Sequence, residues 1–136
     1  MRKNYVLDAN AVFDYLQQGP GAGTLDRLFH EAFRQEATVI ISVVTLGEVF
    51  YLLWRNKGEG KAHETISNFR SFPLRIFDVD LALALKAGEL KARQKLPYVD
   101  SIVASLALDQ QATIVTSDRD FEKLGRRISV LWLPRP

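Results

Sequence analysis

Two short apolar runs that each end on an acid constrain this chain more than anything else in it. Val6-Leu7 leads into Asp8-Ala9-Asn10, and Ala112-Thr113-Ile114-Val115-Thr116 leads into Ser117-Asp118-Arg119-Asp120. Each run has the length and residue types of a buried strand. In open α/β sheets, ligands collect outside the carboxyl ends of the strands. Two strands that deliver Asp8 and Asp118 to that edge predict one acidic pocket.

The stretches between these runs read as helices and further strands. Ala11 to Leu16 suits a first helix, ended by Gly19-Pro20-Gly21. A second is expected from Thr24 to Glu36, with Leu25, Leu28, Phe29, Ala32 and Phe33 at helical spacing and Thr24 as its N-cap. Thr38 to Ile41 is a strand, and Ser42 can cap the apolar helix from Val43 to Asn56. Gly58 and Gly60 mark a break before a helix from Lys61 to Ser71. Leu74 to Phe77 alternates as a short strand, and Asp78 or Asp80 then caps a helix from Leu81 to Gln94. Pro97 separates this from a helix over Val99 to Gln110. A short helix, Phe121 to Leu124, precedes a last strand from Ile128 to Leu133. Strands alternating with helices imply a single α/β domain, residues 1–136, with a mainly parallel sheet and helices on both faces.

Composition limits the chemistry. The chain has 136 residues and no cysteine, which removes disulfides, thiolate nucleophiles and cysteine-bound metals. Its only imidazoles, His30 and His63, have no ligand partner at helical spacing. A metal here would be held by oxygen, which favours Mg²⁺ or Mn²⁺. Net charge is +2, with basic residues clustered at Arg55-Lys57-Lys61, Lys86-Lys91-Arg93-Lys95 and Arg119-Lys123-Arg126-Arg127. Such clusters are either solvated helix faces or contacts for nucleic-acid phosphates. Arg2 and Lys3 could open a signal peptide, but Asp8, Asn10 and Asp14 interrupt any apolar core. No run approaches a membrane span of roughly 20 apolar residues. A cytoplasmic protein without membrane contact is expected.

Most of the sixteen acids, among them Asp14, Asp26, Glu31 and Asp109, read as solvated helix faces. Glu48 differs, because its helical neighbours are Val44, Thr45, Tyr51 and Leu52, a setting that would partly desolvate it. Asp100 opens its helix above Val103, Ala104 and Ala107, a small apolar face that permits close packing. For either residue, a plain helix-terminus role remains open. If Asp8, Glu48, Asp100 and Asp118 converge, with Asp120 close by, their mutual repulsion calls for a divalent cation. A site of that kind supports phosphodiester hydrolysis. Asn10, Thr45, Thr116 and Ser117 are polar groups placed to hold the acids.

Four ordered motifs now stand out: Leu7-Asp8-Ala9-Asn10; Ser42-x-x-Thr45-x-x-Glu48; Asp100 to Ala107; and Thr116-Ser117-Asp118-Arg119-Asp120-Phe121. With them the chain resembles, over nearly its whole length, a PIN-domain ribonuclease of the VapC type, toxins of toxin–antitoxin pairs. The resemblance implies a PIN-like three-layer sandwich of about five strands, Mg²⁺ or Mn²⁺, and RNA as substrate. It makes Asp8, Glu48, Asp100 and Asp118 the acidic quartet that catalyses and binds metal, and Asp120 an auxiliary ligand. It also implies a cognate antitoxin and a homodimer. Arg119, Lys123, Arg126 and Arg127 are the candidate RNA contacts. Ala9 stands where many relatives carry Ser or Thr. Two rivals are a non-catalytic PIN-like RNA- or protein-binding module and a phosphatase of the haloacid-dehalogenase type. The latter would need a second acid where Asn10 stands.

Overall fold

The computed structural model describes residues 2–136. Five strands form one sheet: β1 (Lys3–Leu7), β2 (Ala37–Ser42), β3 (Leu74–Phe77), β4 (Thr113–Thr116) and β5 (Val130–Trp132). Their order is β3-β2-β1-β4-β5, and every neighbouring pair is parallel. Strands covered on both faces lose the polar/apolar alternation of half-exposed ones. Val39-Ile40-Ile41 and Ile114-Val115 accordingly read as continuous apolar runs, and all five residues are buried.

Six α-helices cover the sheet: α1 (Ala9–Leu16), α2 (Ala22–Phe33), α3 (Val43–Lys57), α4 (Glu59–Phe69), α5 (Leu81–Gln94) and α6 (Tyr98–Gln110). The chain first winds outward from β1 to β2 to β3, then returns across the sheet to β4 and β5. Crossovers between parallel strands are right-handed, so reversing the direction moves the helices to the other face. Helices α1 to α4 accordingly pack on Leu7, Val39, Ile41 and Val115. Helices α5 and α6 pack on Val6, Ile40 and Ile114. The reversal lies between β1 and β4, the point at which open α/β sheets gather ligands outside their carboxyl edge. Among the described residues no helix is long and apolar enough to cross a membrane.

The three-layer α/β architecture matches expectation, and local details depart from it. Helix α2 begins at Ala22, and Thr24 is not its cap: the cap position is Gly21, whose N–H donates to Asp14 at 2.8 Å. Asp14 is therefore buried, at 7% exposure, and not on a solvated face. A Cβ at Gly19 would run into the same carboxylate, so glycine is needed where the loop closes over α1. Only Gly58 breaks the chain between α3 and α4, at φ 88°; Gly60 lies inside α4. Asp80, not Asp78, caps α5, accepting the Leu83 N–H at 2.9 Å. The segment after β4 is a 3-10 stretch, Arg119–Arg127, that turns at Gly125.

Candidate active site

Asp8 follows β1 directly and is 4% exposed. It caps α1, its Oδ1 accepting the Ala9 N–H at 2.9 Å. Its Oδ2 accepts the Thr116 hydroxyl at 2.8 Å. The same Thr116 oxygen accepts the Asp118 N–H at 2.9 Å. One buried hydroxyl thus joins the two strand-end acids. Asn10 braces the loop from the other side: its Oδ1 accepts the Ser117 N–H at 3.4 Å and lies 3.3 Å from Thr116 Oγ1. Asp118 in turn caps the 3-10 stretch, its Oδ1 accepting the Asp120 N–H at 2.9 Å.

The third acid arrives from the other layer. Asp100 lies in the first turn of α6, whose cap position is Pro97 with no side-chain cap bond. Asp100 is therefore not a helix cap. Asp8, Asp100 and Asp118 each offer one carboxylate oxygen, and the three oxygens lie within 4.8 Å of one another.

Such proximity is costly for bare carboxylates. Burial raises Asp8 to about 6, against the opposing hydrogen bonds from Thr116 and Ala9; the charges of Asp118 and Glu48 raise it further. Burial also raises Asp100 to about 7, followed by the charges of Asp8, Asp118, Glu48 and Asp120. Among the described residues no Lys or Arg forms an ion pair with any of the three. Converging hard oxygens without a protein counter-charge fit a divalent cation.

The other candidates divide. Glu48 is exposed and stands outside the three-oxygen cluster, so the partly desolvated quartet member read from its helical neighbours sits at the rim. Its pKa is still raised by desolvation, and its charge is felt by Asp8 and Asp100. Asp120 flanks Asp100 closely enough for its charge to act there. Thr45 is buried, but its hydroxyl lies 3.2 Å from Ser42 Oγ, which accepts the Thr45 N–H at 3.0 Å. It supports the start of α3, and its hydrogen bonds among the described residues go to Ser42.

The basic candidates spread along the 3-10 stretch, which crosses from one edge of the sheet to the other. Arg119 stands beside Asp118, with its guanidinium 4.3 Å over the Trp132 ring. Lys123 reaches the Lys95 carbonyl at 3.4 Å. Arg127 lies with Thr113 and Ser129 near the opposite edge, away from the acids, and Arg126 precedes it, exposed. Trp132 did not figure among the sequence candidates, because nothing local to it signals a partner thirteen residues earlier.

The family model described as PIN domain matches residues 5–127. No curated protein matches the sequence. Solved structures resemble the fold closely. VapBC2 from Rickettsia felis, bound to a DNA fragment from its promoter, has a TM-score of 0.75 at 22% identity, covering 94% of this chain and 97% of that one. VapC20 of Mycobacterium tuberculosis, described as a sarcin–ricin loop cleaving toxin, gives 0.73 at 23%, covering 89% and 95%. DNA-bound VapBC from Salmonella typhimurium gives 0.71 at 21%, covering 96% and 98%. At these identities the likeness is one of fold. The matched span runs from within β1 through the 3-10 stretch and includes Asp8, Asp100 and Asp118, and the chain belongs to the PIN-domain family.

Proposed function

We propose that this chain is a divalent-metal-dependent endoribonuclease and the toxin of a toxin–antitoxin pair. The observation that carries the reading is the convergence of Asp8, Asp100 and Asp118 from β1, α6 and β4, with no ion pair from Lys or Arg to any of them among the described residues. Similarity of fold to VapBC complexes and to a toxin described as cleaving the sarcin–ricin loop supports the substrate class and the antitoxin.

Asp8, Asp100 and Asp118 would hold Mg²⁺ or Mn²⁺, with Glu48 and Asp120 at the rim. Bound there, the ion would offset charge on the phosphodiester and lower the pKa of a water. Thr116 fixes the Asp8 carboxylate and the Asp118 backbone, so both acids are oriented before substrate arrives. Glu48, with its pKa raised by desolvation, would accept a proton on its carboxylate from the attacking water. Arg119, next to Asp118, offers positive charge to a phosphate at the mouth. Against a phosphatase with two acids on one loop, Asn10 is used as an acceptor for the Ser117 N–H. Exposed Tyr51 and Trp54 on α3 offer an apolar surface for an antitoxin segment or a second copy in a homodimer. A cytoplasmic location follows from this role.

The test is incubation of the purified protein with a broad RNA panel. Cleavage in Mg²⁺ or Mn²⁺ that stops on adding EDTA is expected. Full activity in EDTA rules the reading out, and no cleavage on any RNA favours a non-catalytic binding module.

A further inference from the structure

Trp132 ends β5 in register with Thr116 on β4. Register partners in a parallel sheet point to the same face, on strands roughly 4.8 Å apart. Thr116 directs its hydroxyl at Asp8, so the indole flanks the acidic cluster one strand away. Trp132 is half-buried and packs against the core under α5 and α6. Over its ring, at 4.3 Å, lies the guanidinium of Arg119, the residue next to Asp118. This side chain remains 47% exposed, and its acidic neighbour Glu122 is 4.0 Å away, at the outer limit of an ion pair. The guanidinium carbon is therefore centred over an aromatic ring beside Asp118, and about half of the Arg119 side chain is open to solvent.

We propose that Arg119, seated on Trp132, is a stacking platform for the base of a nucleotide adjoining the scissile phosphate of single-stranded RNA. The proposal rests on the ribonuclease reading of the acidic site. Unpaired bases stack on aromatic rings and on guanidinium planes, and such stacking tolerates any base. The platform therefore sets where the chain lies and leaves its sequence unread. Lysine would keep the charge and lose the plane. Trp132 is a positioning residue, acting through Arg119.

The experiment compares two fluorescein-labelled twelve-mers of equal charge, an oligoadenylate and an abasic ribose-phosphate chain. Binding is followed by anisotropy in an Asp8→Asn background to prevent cleavage. The parent should bind the oligoadenylate about tenfold or more tightly than the abasic chain. Arg119→Lys should bring that ratio near one while leaving the salt dependence of binding unchanged. Trp132→Phe, which keeps an aromatic face, should retain most of the preference, and Trp132→Leu should lose it. A ratio unchanged in Arg119→Lys overturns the platform. If the wild type cuts RNA with Mg²⁺ but its Asp8→Asn form binds both oligomers alike, the platform alone is lost. A protein that neither cuts RNA nor binds either oligomer loses the ribonuclease reading as well.

Discussion

Thr116 Oγ1 lies 2.8 Å from Asp8 Oδ2 and accepts the Asp118 N–H at 2.9 Å, so one hydroxyl couples the ends of the two central strands. The strands are adjacent, and the Asp8 N–H also donates to the Val115 carbonyl at 3.1 Å. The hydroxyl must donate to one acid and accept from the other's backbone, a pair of roles that valine, of similar shape, cannot fill. Thr116→Val is expected to lower RNA cleavage about 10- to 100-fold, as for other residues that orient metal ligands. It should cost about 1–3 kcal/mol of stability, since a buried N–H loses its partner. Thr116→Ser should restore most of both. Full cleavage by the valine variant would show that the clasp is only structural.

The same cluster sets a pH dependence. Asp8 and Asp100 have folded-state pKa values raised by burial and by their neighbours, to about 6 and about 7. Protons are then bound more tightly by the folded than by the unfolded chain, and the stability they give is lost as pH rises. The metal-free protein should be most stable near pH 4 and weaken steadily as pH rises to about 7. Asp8→Asn should flatten that slope and raise the metal-free melting temperature at pH 8. Mn²⁺ should restore wild-type stability at pH 8. Melting curves across pH check this, and a metal-free protein that gains stability from pH 4 to pH 7 contradicts it.

Asp14 gives a purely structural contrast. Its buried carboxylate accepts the Gly21 N–H at 2.8 Å and so fixes the loop between α1 and α2. Asp14→Ala is expected to cost about 1–2 kcal/mol. Cleavage per folded molecule should not change. Urea denaturation and a cleavage assay on the same sample separate the two, and a fall in activity with stability intact would place Asp14 in the site.

The apolar surface of α3 gives a partner prediction. Tyr51 is 57% exposed and Trp54 43% exposed; Trp54 packs edge-on to Phe50 and tilted against His63. A dimer in solution and tight binding of a neighbouring-encoded antitoxin are expected. Replacing Tyr51 and Trp54 together by Ser should weaken antitoxin binding in a protein that circular dichroism shows to be folded. Light scattering that finds a monomer at high concentration sinks the first claim, and unchanged antitoxin binding sinks the second.

What the sequence shows and what it hides follow the range of the interactions. The end of β1, the Ser42 cap and helix α5 depend on neighbours a few residues away, and each is visible as a short motif. Asp8 and Asp118 are legible as a pair because both follow apolar strands. The burial of Asp14 is not, because it depends on the Gly19-Pro20-Gly21 loop folding back over α1. Thr24 looks like a cap, yet Gly21 takes that position with its N–H held by a carboxylate seven residues earlier. The neighbours of Glu48 suggest the partial desolvation that raises its pKa, but not that it stands outside the three-oxygen cluster, which depends on where α3 sits against β1 and α6. Trp132 acquires its relation to Arg119 only once β5 lies beside β4.

The most direct test of the ribonuclease reading is sequencing of RNA 5′ ends after induced expression of the wild type and of Asp8→Asn. The expected result is a small set of new, discrete ends in the wild-type sample, absent with the variant although both proteins are folded and equally abundant. Identical ends in both samples, or none in either, would contradict it.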